Sequence, residues 1–160
     1  MEAKGKETKM NDGLAGLLLH RAIEEQAHRY ARACDESDWA ALETIFSPDV
    51  EVDFGVELGI PLLKGANAII DTLRSVREKC GATHHMVGNV MVVPRGENEA
   101  ESGFHLRAFH RGLGIYADGT WDVMGEYRDV WRRDEKGWRI VRRHYVLRTF
   151  TGSMTSVLGP

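Results

Sequence analysis

The sequence predicts a single α+β domain in which three helices precede a mainly antiparallel β-sheet. Apolar residues recur with helical spacing through most of the first half of the chain. The second half carries four long runs rich in β-branched and aromatic residues: HHMVGNVMVV, SGFHLRAFHRG, TWDVMGEYRDVWRR and GWRIVRRHYVLRTF. They are separated by the turn-like segments PRGENEAE, GLGIYADG and DEKG. The length of 160 residues suits one domain. Folding a chain of this size removes roughly 70% of its extended-chain surface from water, which leaves room for a core and an internal pocket. Helices segregated from strands favour a curved sheet with the helices packed on one face.

Residues 1–12 (MEAKGKETKMND) lack periodicity and are expected to form a disordered tail. The domain proper is expected over residues 13–151. Its first helix runs from about Gly13 to Cys34, with Ile23, Ala27, Tyr30 and Cys34 on one face and Leu14, Leu17 and Leu18 extending the apolar side. Ser37 or Asp38 can cap a short second helix, DWAALETIF. Val50, Val52 and Phe54 alternate with Glu51, Asp53 and Gly55 as in a strand. Gly59 and Pro61 mark a turn, and ANAIIDTLRSVREKC reads as a third amphipathic helix ending at Gly81. Residues 152–160 are small and polar, a loose tail or a lid over the pocket.

Composition excludes several function classes. The chain is 42% hydrophobic and 28% charged, which suits a globular protein. Its net charge of −3 gives no general grip on nucleic acid. The arginines between Arg128 and Arg148 are interleaved with Trp and Val, as expected for paired strands with Arg on a solvated face. Cys34 and Cys80 form no Cys-x-x-Cys and no disulfide framework, which fits a reducing compartment. There is no apolar signal core and no run near the ~20 residues that span a bilayer, so neither membrane nor export is expected and the cytoplasm is the expected location. The chain has no dinucleotide or Walker A glycine pattern, no His-Glu-x-x-His and no Gly-x-Ser-x-Gly. Its seven histidines do not fall at the usual ligand spacings, so no metal and no cofactor are expected.

Three positions carry the candidate chemistry. Asp35 follows the first helix, where the helix dipole disfavours a carboxylate, although Asp is also common at the start of a turn. Strand alternation groups His85, Val87, Asn89 and Met91 on one face, and His84, Met86, Gly88 and Val90 on the other. His85 then reads either as a pocket base or as a core histidine, and His84 as a surface residue. On the next strand Leu106, Ala108 and His110 share a face that can turn toward the concave side.

HRYARACDESDWAAL, ATHHMVGN, FHLRAFHR and EYRDVWRRDEKGWRI, taken in order, resemble the SnoaL-like branch of the NTF2-like superfamily over roughly residues 15–150. Within that branch the chain is similar to scytalone dehydratase, bile-acid 7α-dehydratase and hexachlorocyclohexane dehydrochlorinase. The resemblance implies a cone: a strongly curved sheet wrapped by helices, enclosing a deep apolar pocket. It implies that Asp35 and His85 form an acid–base dyad, that His110 is a second pocket histidine and that Tyr30 is a pocket tyrosine. Scytalone dehydratase holds its electrophilic water with two tyrosines, and the matching positions here are Cys34 and Phe54. Its substrate-gripping Ser and Asn match Gly125 and Tyr127. The scytalone substrate is therefore not expected.

These readings imply a cofactor-independent lyase. A neutral imidazole takes a proton near pH 7, and a carboxylate beside it fixes the tautomer. His110, Tyr30 or Tyr127 then protonates a leaving group or polarises a carbonyl. Asp35, His85, His110 and Tyr30 form the candidate catalytic set. Phe54, Asn89, Ala108, Tyr127 and Tyr145 form the candidate substrate contacts. The expected substrate is small and hydrophobic, aromatic, polycyclic or steroid-like, and the expected reaction is dehydratase-type elimination or aldol-type cleavage. An isomerase or polyketide-type cyclase with the same dyad, or a non-catalytic binding module, are the rival readings. A homodimer or homotrimer is expected through the outer sheet face, because Phe109, Trp121, Val130 and Trp131 are too many to line one pocket.

Overall fold

A computed structural model of the chain describes residues 2–160, with side chains described from Gly13 onward. Its helices are α1 (Glu2–Glu36), α2 (Trp39–Ile45), α3 (Ala66–Arg77) and α4 (Met154–Leu158). Its strands are β1 (Phe46–Asp53), β2 (Leu63–Lys64), β3 (Cys80–Pro94), β4 (Glu99–Gly112), β5 (Thr120–Asp134) and β6 (Gly137–Gly152). They form one sheet in the order β2-β1-β6-β5-β4-β3, antiparallel throughout except where β1 runs parallel to β6. This is the α+β arrangement expected: a mainly antiparallel, curved, unclosed sheet with the helices against it.

Two boundaries differ from expectation. The helical backbone of α1 begins at Glu2 rather than near Gly13, since no proline interrupts residues 2–36. The C-terminal segment forms α4, with Ser153 as its N-cap and Val157 fully buried. Asp38 caps α2 as expected, its Oδ1 accepting from the Ala41 N–H at 3.0 Å.

The apolar stripe of α1 packs as its spacing requires: Ile23, Ala27, Tyr30 and Cys34 are all buried. Leu14, Leu17 and Leu18 were expected to extend it but are exposed. The stripe continues from Ile23 through Leu19, four residues earlier, which packs on the core.

Register shifts in β3 and β6 set which side chains face inward. In β3 the register shifts between Gly88 and Met91, and Asn89 takes a left-handed conformation with φ of 54°. In β6 extra residues at Val141 and Arg148 shift the pairing with β5. Each inserted residue moves everything beyond it to the opposite face. Val141 thus turns Arg143 and Tyr145 into the core, so Arg143 departs from the solvated face expected for the arginines. Trp121 and Trp131 are also buried rather than outward, and the Trp131 indole donates to Ser102 Oγ at 2.8 Å.

Candidate functional site

Helix α1 ends one residue after Asp35, and Ser37, at φ of 59°, turns the chain toward α2. Asp35 therefore projects from a helix end onto the start of β3. There it meets three donors: Thr83 Oγ1 at 2.9 Å, the His85 backbone N–H at 2.8 Å and His85 Nδ1 at 2.7 Å. Burial alone would raise the acid's pKa, but the hydrogen bonds and charge of His85, with help from Thr83, hold it at about 2. A carboxylate that stays ionised near neutral pH can only accept. The bonded His85 nitrogen must then carry the hydrogen, and Nε2 keeps its lone pair. His84, next in sequence, is exposed.

His110 stands against His85 edge to face, with ring centroids 5.5 Å apart. Its other face stacks on Trp121 at 5.0 Å, and its Nδ1 lies 3.2 Å from the Trp121 carbonyl oxygen. A carbonyl only accepts, so His110 also carries its hydrogen on Nδ1 and offers a bare Nε2. Burial first, and the charge of His85 second, lower its pKa to about 4. In the neutral ring its Nε2 is therefore an acceptor and not a proton donor.

Both imidazoles line a cavity enclosing ≈ 620 Å³ of space between atoms, its mouth included. Its walls come from α1 (Tyr30), the β1–β2 segment (Phe54, Leu58, Ile60), α3 (Leu73, Val76), β4 (Leu106, Ala108), β5 (Trp121, Val123, Tyr127), β6 (Tyr145) and α4 (Met154). A smaller void of ≈ 320 Å³ on the helix side, lined by Cys34, Trp39, Arg77 and Thr83, shares His85 and His110. A larger open groove on the outer sheet face, with Met91, Arg128 and His144, is separate from this chemistry.

Tyr30 and Tyr127 share one hydrogen bond between their hydroxyls at 3.2 Å. Tyr127 is four residues, roughly 13 Å of strand, from Val123, which pairs through Ala108 with His85. Tyr145 leans between these positions. A Cβ at Gly125 would fall 2.5 Å from Cε2, Cζ and the hydroxyl of Tyr145, so glycine is what lets that ring lie across β5. The Tyr145 hydroxyl is buried and has no partner.

The structure thus gathers His85, His110, Tyr30, Phe54, Ala108, Tyr127 and Tyr145 around one cavity, with Asp35 holding His85 from behind. Asn89 is excluded. The bulge turns it outward, where its amide meets His105 Nδ1 at 3.0 Å on the exposed side. Cys34 lines the smaller void, and burial raises its thiol to about 12. Sequence reasoning missed Thr83, whose position two residues before His85 on the same face was the available signal, and the cavity role of Trp121. Among the described residues no group of three or more His, Cys, Asp or Glu is placed to hold a metal ion, and no helix is long and apolar enough to cross a membrane.

A family model described as a SnoaL-like domain matches residues 15–144. The chain belongs to the SnoaL-like domain family. No curated protein matches it at a significant level. A candidate scytalone dehydratase from Novosphingobium aromaticivorans is 23% identical, with 86% of this chain and 89% of that one covered and a TM-score of 0.78. Hexachlorocyclohexane dehydrochlorinase LinA-type3 from Novosphingobium barchaimii is 15% identical, covering 88% and 94%, with a TM-score of 0.75. An NTF2-like superfamily protein from Salmonella enterica is 20% identical, covering 86% and 96%, at 0.73. These likenesses give this SnoaL-like domain an NTF2-like fold.

Proposed function

We propose that this SnoaL-like domain is a lyase-type enzyme in which His85 removes a proton from carbon. The observation that carries the reading is the 2.7 Å contact from His85 Nδ1 to Asp35 on a cavity-lining ring. Asp35 fixes the tautomer and stabilises the imidazolium that forms when Nε2 takes the proton. The apolar walls exclude water and strengthen that coupling. The tyrosine end donates to a substrate oxygen that gains negative charge as the C–H bond breaks. His110 Nε2 accepts a hydrogen bond from a substrate hydroxyl, orienting it against His85. The larger cavity is lined mainly by apolar and aromatic side chains, with no Lys or Arg among its described lining residues and Arg77 on the smaller void beside it. This favours a neutral, hydrophobic substrate with an activated C–H beside a carbonyl or ring. A β-hydroxyl then leaves as water with the proton that His85 Nε2 carries, or a halide leaves as the anion and His85 gives its proton to solvent, which restores the neutral imidazole. The names of two structural neighbours, a dehydratase and a dehydrochlorinase, support that class.

The locked Nδ1 of His110 favours one rival. With no proton donor on that ring at neutral pH, His85 can return its own proton to a neighbouring carbon, which is an isomerisation. The test is proton NMR in D2O with a panel of hydrophobic β-hydroxy ketones. Loss of the α C–H signal with release of water identifies a lyase, and exchange without release identifies an isomerase. A folded protein that binds these ketones and exchanges none of them would sink both readings.

A further inference from the structure

Arg143 lies behind the cavity wall, wholly buried, and touches no cavity space. Asp129 Oδ1 and Oδ2 accept from its Nε and Nη2 at 2.8 and 2.7 Å, while Nη1 has no hydrogen-bond partner. The guanidinium spends its faces on aromatic rings. Its Cζ stands 3.9 Å from the ring centroid of Tyr127 and 4.2 Å from that of Tyr30. These are the two phenols whose hydroxyls meet in the cavity. A structural ion pair has no need of a double ring stack, and burying any charge is costly.

We propose that Arg143 is a positioning residue that acts through the faces of Tyr127 and Tyr30, strengthening the one hydrogen bond that their linked hydroxyls can give to a substrate oxygen that becomes negative. This rests on the proton-abstraction reading above and deepens it. The cation draws electron density from the π systems, so the O–H groups donate more strongly. Asp129 fixes the guanidinium edge-on and prevents it from swinging into the cavity, where it would bind an anion directly. The site then favours an oxygen that acquires charge during reaction over a substrate that arrives charged. Burial raises the pKa of both phenols, and Arg143 opposes that rise in each. Cys34, Asp129 and Tyr145 are the other titratable groups packed against this pair.

The experiment uses a series of substituted naphthols at a pH below all their solution pKa values, so that each arrives neutral and passes its proton to the site on binding more fully the more acidic it is, and plots affinity against naphthol pKa. Replacing both partners with apolar residues, Arg143→Met with Asp129→Leu, removes the pair without stranding a charge and is tolerated in folded proteins. The wild type should bind the most acidic naphthols about tenfold more tightly than this variant and the least acidic ones equally. Equal loss across the series, or none, would overturn the proposal, because a merely structural role does not change the slope. Should the double variant fail to fold, carbon-13 NMR of the wild type decides. Tyr127, under the guanidinium, should ionise at lower pH than Tyr145, which is not, and the reverse order would overturn the proposal. Naphthol slopes do not depend on turnover. A normal slope without α C–H exchange in D2O would count against the proton-abstraction reading and not against the role of Arg143.

Discussion

Asp129 and Arg143 form a bidentate ion pair whose side chains are entirely buried, whereas Asp35 and His85, in an equally short contact, keep 19% and 12% of their side-chain surface exposed. The sealed pair joins a carboxylate to a cation that never titrates in the working range of a protein. The open pair joins a carboxylate to an imidazole that lines the cavity. On the proton-abstraction reading proposed above, the same electrostatic attraction holds a fixed charge in one place and a movable proton in the other. What separates them is the partner's chemistry and access to the cavity, not distance.

The largest effect comes from breaking the sealed pair on one side. Asp129→Ala leaves a buried guanidinium without its counter-charge, which costs about 3–5 kcal/mol. For a domain of this size that lowers Tm by roughly 10 °C, read by thermal unfolding. The same substitution at Asp35, beside solvent, should cost less than half as much. Equal losses at the two sites would mean that the exposure difference is unimportant.

Next in size is the chemistry of the open pair. His85→Gln should lower turnover by about 10²–10⁴-fold with Tm nearly unchanged, because a group that moves a proton acts mainly in the transition state. Asp35→Asn should give a similar loss by favouring the wrong tautomer, and the double variant should be no worse than the poorer single one. Turnover measured beside Tm separates this from simple loss of folded protein. Activity falling only in step with stability would make both residues ordinary core.

How much of this was legible follows from where the backbone keeps its period. Ala108 and His110 lie on the unbulged β4 and Asp35 at a helix end, where the backbone keeps its period, whereas His85 follows a register shift between Cys80 and Thr83 and its pairing with Asp35 was expected from the family resemblance. The first helix face from Ile23 to Cys34 was legible for the same reason. Asn89 and Arg143 were misplaced because the first lies within a bulge and the second follows one, and a bulge leaves no mark in hydrophobic alternation. Trp131 shows another limit. Its indole finds a buried hydroxyl on Ser102 of the neighbouring strand, a partner that only the register reveals.

Acid unfolding sharpens the comparison on a smaller scale. His110, folded at about 4 against an ordinary 6.5, stays neutral where the unfolded chain binds a proton. Its contribution is complete above pH 6.5 and is lost as pH falls toward 4, at up to about 1.4 kcal/mol per pH unit. Asp35, folded at about 2 against 3.8, stays ionised where the unfolded chain is protonated, so its contribution is lost between about pH 4 and 2. Stability measured by denaturant midpoint should therefore fall in two windows. His110→Asn should remove the upper one, Asp35→Asn should shrink the lower one, to which the arginine-paired Glu126 also contributes, and changes at Asp129 should remove neither. An upper window that survives His110→Asn would mean another group produces it.

The smallest expected effect separates function from folding most directly. The Tyr145 hydroxyl is buried without a hydrogen-bond partner, and Gly125 is the residue that makes space for its ring across β5. An unsatisfied buried hydroxyl costs about 1–3 kcal/mol, and its removal without a change of shape recovers part of that. Tyr145→Phe should therefore raise Tm by a few degrees in the free protein. If the hydroxyl is kept for a substrate oxygen, the same change should lower kcat/KM by about tenfold, the worth of one ordinary hydrogen bond made only when substrate is present. Stability gained together with activity lost is the expected signature of a group held unpaired for a ligand. Tyr30→Phe is the control, because it breaks the existing bond to Tyr127 and should lower Tm instead. If Tyr145→Phe leaves kcat/KM unchanged while Tm rises, the hydroxyl has no part in binding.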